Sequence, residues 1–460
     1  MWRRLVNPEG PHPNPLPEYR ARGPILYSGS FMLQSIRPLL LGVSVGLCCA
    51  AALPGAADEN WPQFRGPTGQ GLSDSKNLPT TWSEKQNVKW KTPIHGKSWS
   101  SPVVWGNQVW LTTATEDGRE LFVMCVDKET GRVVHDKRLF EDPQANPIFK
   151  KFNTYASPTP LLESGRVYVT FGSAGTACLD PVTAAPIWQR RDINVNHFRG
   201  AGSSLMAYEN LLILDFDGSD AQFITALDKN NGKTVWRTNR SVDYGDLEAN
   251  GKVKADGDFR KAFSTCRIAP VNGKPAVISL GSKATYAYEP LTGKEIWRFE
   301  HKDWHSGAAT PVIGEGLIYL CPGFGKGAVV AIRPDGTGTL GQDHVAFRIT
   351  KNAPNKPSPL LVGDLLYFVD DQGIASCVDA KSGADVWRQR LKGNFSAAPL
   401  YGDGKVYFFG EDGTTTVVGS GREFKKIAEN KLEDGFMATA AVSGKSLILR
   451  SKSALYRIEE

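Results

Sequence analysis

The stretch Ala226-Leu227-Asp228-Lys229-Asn230-Asn231-Gly232-Lys233-Thr234-Val235-Trp236 reads as a strand end, a tight turn and the start of a second strand. Asp228 offers a carboxylate to nearby backbone N–H groups, and Gly232 is free to take a positive φ. Val235 and Trp236 open a half-buried strand. The spacing recurs at Cys125, Asp127, Gly131 and His135, and at Cys178, Asp180 and Trp188. It returns at Ala287, Glu289, Gly293 and Trp297, and at Cys377, Asp379, Gly383 and Trp387, while Ala331-Ile332-Arg333 is a degraded copy. A strand-based period of roughly 45–60 residues marks a propeller or another repeat array.

Working outward, each unit opens on small residues before an apolar strand. The openings are Ser100-Ser101-Pro102, Ala156-Ser157-Pro158, Gly202-Ser203-Ser204, Ser264-Thr265-Cys266, Ala309-Thr310-Pro311, Pro357-Ser358-Pro359, Ala397-Ala398-Pro399 and Ala438-Thr439-Ala440. Innermost strands crowd around an axis, where only small side chains leave room, and Pro is tolerated at a strand's first position. Outer strands have space for Trp. The expected fold is all-β: an eight-bladed β-propeller of four-stranded antiparallel blades. The eighth unit ends after three strands, and Val88-Lys89-Trp90 is the strand without a unit. The N-terminal strand is therefore expected to close the last blade, leaving no sheet edge between first and last.

The 460 residues carry a formal charge of +6, of which residues 1–57 hold +3 through five arginines against two glutamates. That excludes the concentrated basic face of a nucleic-acid binder. Residues 32–57 read as a signal peptide: Arg37 is the charged flank, Leu39–Leu53 an apolar run, and small residues follow. The run is too short for a comfortable membrane span. Pro-rich residues 1–31 are read as a gene-model extension ahead of Met32. Residues 58–85 form an irregular segment, with Trp61-Pro62-Gln63-Phe64-Arg65-Gly66-Pro67 expected against the outside of the propeller of 86–460. Of seven cysteines, Cys48 and Cys49 fall in the leader. Cys125, Cys178 and Cys377 share the slot that Ala fills in other repeats, so they pack as small hydrophobes. The insert Ser241–Asp258 reads as a surface loop.

The run Ala-x-Asp-x-x-x-Gly-x-x-x-Trp resembles the tryptophan-docking repeat of the pyrroloquinoline-quinone (PQQ) β-propellers, over about residues 61–460. That family includes PQQ-dependent quinoprotein alcohol dehydrogenases and the BamB-like outer-membrane assembly propellers. Trp61–Pro67 is similar to exported PQQ-like propellers, some described as polyvinyl-alcohol dehydrogenases. The resemblance implies an exported periplasmic or envelope protein. It also implies either a binding scaffold with a protein partner or a dehydrogenase of an alcohol or polyol with PQQ and Ca²⁺. The family's dehydrogenases use an adjacent-Cys disulfide over the cofactor, and here the adjacent cysteines, Cys48 and Cys49, lie in the leader. The leading expectation is a non-enzymatic, monomeric scaffold with no nucleic acid partner. The alternatives are a PQQ-dependent quinoprotein and a carbohydrate-binding or small-ligand-binding propeller.

Function is then expected where the loops before the inner strands converge. These loops carry Lys97 and Trp99, Arg199, Lys261, Trp304 and His305, and Lys356. Cations over aromatics suit an anionic or quinone-like ligand, or an acidic peptide. None of the histidines has paired metal-ligand spacing.

Overall fold

The computed structural model describes residues 59–143, 145 and 152–460. The expected extension and signal peptide lie outside the described residues. The regular secondary structure of the described residues is nearly all strand, arranged as eight antiparallel blades. The third blade shows the pattern: Met206–Tyr208, Leu211–Asp217, Gln222–Asp228 and Thr234–Asn239 pair in sequence order. The eighth is closed as the sequence suggests. Val88–Pro93 pairs antiparallel with Ala454–Ile458, which continues to Ser446–Arg450 and Ala441–Ser443. Two blades gain a fifth, parallel strand: Leu72–Ser73 joins the inner edge of the seventh and Gly338–Leu340 the outer edge of the fourth.

The quoted motif fastens each blade to the next. Asp228 Oδ1 accepts the N–H groups of Asn230 and Asn231, and Gly232 sits at φ +70°. The Trp of one blade then lies on the turn Gly of its neighbour. A Cβ on Gly232 would meet the Trp188 ring at 2.6 Å, one on Gly293 the Trp236 ring at 2.3 Å, and one on Gly131 the Trp90 ring at 2.7 Å. Each indole N–H also donates to the carbonyl just after the neighbour's turn acid. Trp90 reaches Lys128 at 2.8 Å, Trp188 reaches Lys229 at 2.8 Å and Trp236 reaches Pro290 at 3.0 Å. The turn Gly thus has two reasons to be Gly: its backbone conformation and the ring above it.

Two units without the Trp keep the fastening by other means. In the fifth blade Phe347 lies over Gly383, and Tyr319 donates to Ala380 O at 2.9 Å. In the first blade His135 stands at the Trp position. There Gln108 reaches Pro181 O at 2.8 Å, and the turn residue beyond is Ala184 at φ 52°. The five described cysteines are buried and unpaired.

Residues 61–73 do not lie on the outside. Trp61 and Val104 exchange both backbone hydrogen bonds at 2.8 Å. Pro62 O accepts from Leu162 N, the Gln70 amide brackets the backbone of Ile313, and Gly71 O accepts from Tyr401 N. These partners sit on inner strands, downstream of the entrance loops. The segment therefore straps across the end of the channel opposite those loops. Phe64 reaches the axial pocket and Arg65 is fully buried. The expectation failed because an irregular run of aromatics and glycines looks alike in sequence whether it covers a wall or an axis.

Candidate functional site

Eight inner strands leave a narrow channel, and its wall is a belt of hydroxyls. At six of the eight blade junctions a belt residue's backbone N–H reaches the next blade's hydroxyl. Ser101 donates to Thr159 Oγ1 at 3.0 Å, Thr159 to Ser204 Oγ at 2.9 Å and Ser204 to Thr265 Oγ1 at 2.9 Å. Thr310 donates to Ser358 Oγ at 2.9 Å, and Ala398 to Thr439 Oγ1 at 3.2 Å. Thr439 then returns to Ser101 Oγ at 3.1 Å. Between the fourth and fifth blades the bond runs from Thr310 Oγ1 to Thr265 O at 2.6 Å. The small residues at unit openings are thus spacers and also blade-to-blade hydrogen-bonding groups.

Above the belt the entrance loops enclose a pocket of about 350 Å³. Trp99, Phe152, Phe263 and Phe324 supply its apolar wall, with Phe64 entering from the strap. Phe152 and Phe324 meet edge-on at 6.1 Å, linking the loops of the second and fifth blades. Phe198 and Phe259 are also exposed in these loops, beside Lys261 and His305.

Of the seven residues singled out in the sequence, Trp99, Arg199, His305 and Lys356 line this pocket. Lys97 lines an adjoining cleft with Trp99, Glu116, Lys356 and Glu411. The other two face elsewhere. Lys261 is buried, ion-paired with Asp258 and stacked 4.5 Å from the Phe198 ring centre. Trp304 packs on the core between the fourth and fifth blades and donates to Lys326 O at 2.6 Å.

Two of the rim cations have carboxylate partners. Arg199 grips Asp258 through Nε and Nη2 at 2.9 and 2.7 Å, and Lys356 pairs with Glu411 at 2.9 Å. The Arg199 hydrogen bond, helped by Lys261 against burial, holds Asp258 well below the usual carboxylate range. Burial lowers the basicity of Lys261 and of His305, whose Nδ1 lies 2.9 Å from Ser306 Oγ. A long-range field is therefore muted, and the pocket wall is mainly aromatic and hydroxylic.

Asp258 and the phenylalanines were not foreseen. Asp258 closes the insert that reads as a surface loop, where a lone carboxylate carries no signal. Two other carboxylates are already engaged: Asp217 is buried on Arg240 at 2.7 Å. Asp371 accepts the N–H groups of Asn355 and Lys356.

A Ca²⁺-held quinone needs a carboxylate with oxygens to spare beside other oxygen donors. Asp258 is the only carboxylate among the described residues lining the main pocket, and it is engaged by Arg199 and Lys261. Asn355 Oδ1 is buried without a donor among the described residues, but it is a single oxygen. No group of three or more His, Cys, Asp or Glu among the described residues is placed to hold a metal. The described residues lining this pocket do not fit a Ca²⁺–PQQ site.

The family model described as "Outer membrane protein assembly factor BamB" matches residues 80–239, 220–340 and 325–423. Among solved structures the chain is similar to BamB from Moraxella catarrhalis, at 12% identity and TM-score 0.53, covering 81% of this chain and 99% of that one. It is also similar to a quinohemoprotein alcohol dehydrogenase from Pseudomonas putida HK5, at 12% identity and TM-score 0.60, covering 87% and 80%. A europium-containing methanol dehydrogenase matches at 11% identity and TM-score 0.54, covering 86% and 90%. No curated protein sequence matches. These structural likenesses speak for the fold.

Proposed function

From a chain that belongs to the PQQ-like propeller family of outer membrane protein assembly factor BamB, we propose an exported binding scaffold of the cell envelope. Its partner is a protein that inserts an apolar segment into the axial mouth. The observation that carries this reading is the mouth itself. A strapped pocket is walled by Trp99, Phe152, Phe263 and Phe324, with the rim charges Arg199 and Lys356 already bound to Asp258 and Glu411. Aromatic anchors over a concave floor suit desolvated contact. Compensated charges leave little to steer an ionic substrate. Among the described residues no helix is long and apolar enough to cross a membrane.

The test is purification of the tagged full chain from solubilised envelopes, with PQQ and Ca²⁺ titration in parallel. Co-isolation of an outer-membrane assembly protein that is lost on Phe152→Asp supports the scaffold. A saturable thermal shift with PQQ and dye-linked alcohol oxidation overturn it.

A further inference from the structure

The strap brings two guanidinium groups to the closed end of the channel. Arg65 is fully buried and Arg267 nearly so. Arg65 Nη2 donates to Pro359 O at 2.6 Å and Gln70 O at 2.9 Å, and Arg267 Nη2 donates to Phe64 O at 3.0 Å. Arg65 Nε and Nη1 and Arg267 Nε are buried without an acceptor among the described residues. The strap is shaped around them. A Cβ on Gly69 would stand 2.1 Å from Arg267 Nη1, and one on Gly71 would stand 3.2 Å from Arg65 Nη2.

Two buried cations side by side are costly unless a counter-charge balances them. The protein groups that act on them do not supply one. Arg65 faces Arg267 and the Cys321 thiol, and Arg267 faces the Cys266 thiol. Burial pushes both thiols up, so they stay neutral. Burial lowers Arg65 to about 9 and Arg267 to about 10, so both remain cations at neutral pH.

Arg267 lines a cleft under the strap with Gln63, Thr68, Gln70 and Ile313, and both arginines are held next to residues of the axial pocket. Pro359, which holds Arg65, follows the belt hydroxyl Ser358, and Arg267 lies two residues beyond Thr265. Ser358, Thr265 and Phe64 all line the pocket. Thr265 Oγ1 and Ser358 Oγ each accept a backbone N–H, which leaves their own protons to donate. The unpartnered guanidinium N–H groups and both hydroxyls can therefore donate.

We propose that the strap-covered end of the channel binds one small anion, a halide or a carboxylate, between Arg65 and Arg267, next to the pocket-lining hydroxyls of Thr265 and Ser358. The donor set is charge-assisted and excludes cations. A free inorganic anion would complete the floor permanently. A carboxylate could instead be the head of a ligand whose apolar body lies among the aromatics above.

The experiment uses the full chain in a buffer whose sole anion is a bulky sulfonate, with chloride, acetate and benzoate titrated at fixed ionic strength. The melting temperature is expected to rise with anion concentration as for one site. Arg267→Met should flatten the response. Thr265→Val, which keeps the side-chain volume, should weaken it severalfold and serves if Arg267→Met does not fold. Crystals soaked in bromide should show an anomalous peak between Arg65 and Arg267. A stronger response to chloride than to either acid assigns a free halide. A response to benzoate at lower concentration than acetate assigns the carboxylate head of a pocket ligand. Equal responses in wild type and variants, with bromide only at exposed lysines, overturn the site.

Discussion

The backbone N–H of Thr439 donates to Oγ of Ser101 at 3.1 Å, joining the last blade to the first across the axis wall. The same bond, from a backbone N–H to the next hydroxyl, recurs around the channel from Ser101 to Thr159, Ser204 and Thr265. Ser101→Ala leaves the buried Thr439 N–H without an acceptor, which costs about 1–3 kcal/mol. Chemical denaturation should show that loss with an unchanged m-value. No change in midpoint would mean that the belt contributes nothing to closure.

Ring closure also rests on Val88–Pro93, the strand that the N-terminal part of the chain lends to the eighth blade. Deleting residues 86–92 exposes the edge of Ala454–Ile458. The truncated chain should elute as aggregate and lose its cooperative melt. A monomer with an unaltered transition would refute the closure.

Trp236 fills the gap between the third and fourth blades, on Gly293 and with its N–H on Pro290 O. Trp236→Ala should cost about 3–5 kcal/mol, from lost buried volume. Gly232→Ala should destabilise as well, because the new methyl meets both a positive φ and the Trp188 ring. Both variants, if folded, should keep the anion response of the axis. A Trp236→Ala protein with full stability and no ligand binding would reverse the roles assigned here.

Asp258 gives the pocket a pH dependence with a definite sign. Its carboxyl is held below the ordinary value of 3.8, first by the Arg199 hydrogen bond and then by Lys261 acting against burial. A depressed folded value stabilises the native state above the ordinary value, and that contribution is lost as the pH falls further. Asp258→Asn should therefore lower stability at neutral pH and flatten the acid limb below about pH 4. Parallel acid limbs in thermal melts of the two proteins would sink this account.

The blades were legible because their signal is local and repeated: a turn acid, a turn residue of positive φ and a Trp at fixed spacing. The closing strand was legible by counting, since Val88–Trp90 had no unit and the last unit lacked a strand. The convergence of Trp99, Arg199, His305 and Lys356 followed from the fold, because loops before inner strands share one end of the axis. The details inside that end were not legible. Lys261 and Trp304 sit in the same loops but turn into a buried ion pair and a core contact. Phe64, Arg65 and Asp258 reach the axis from segments whose local sequence only says turn. The second role of the turn Gly also needs the neighbouring blade, because the Trp above it comes from another repeat.

The most direct test of the central claim is site-specific photo-crosslinking in intact cells, with a photoreactive residue placed in turn at Phe152, Phe324 and Val235. The first two stand at the mouth and the third is exposed on an outer strand. The account predicts a discrete adduct with an envelope protein from Phe152 and Phe324 and none from Val235. Equal adducts from all three positions, or none from the mouth, would contradict it.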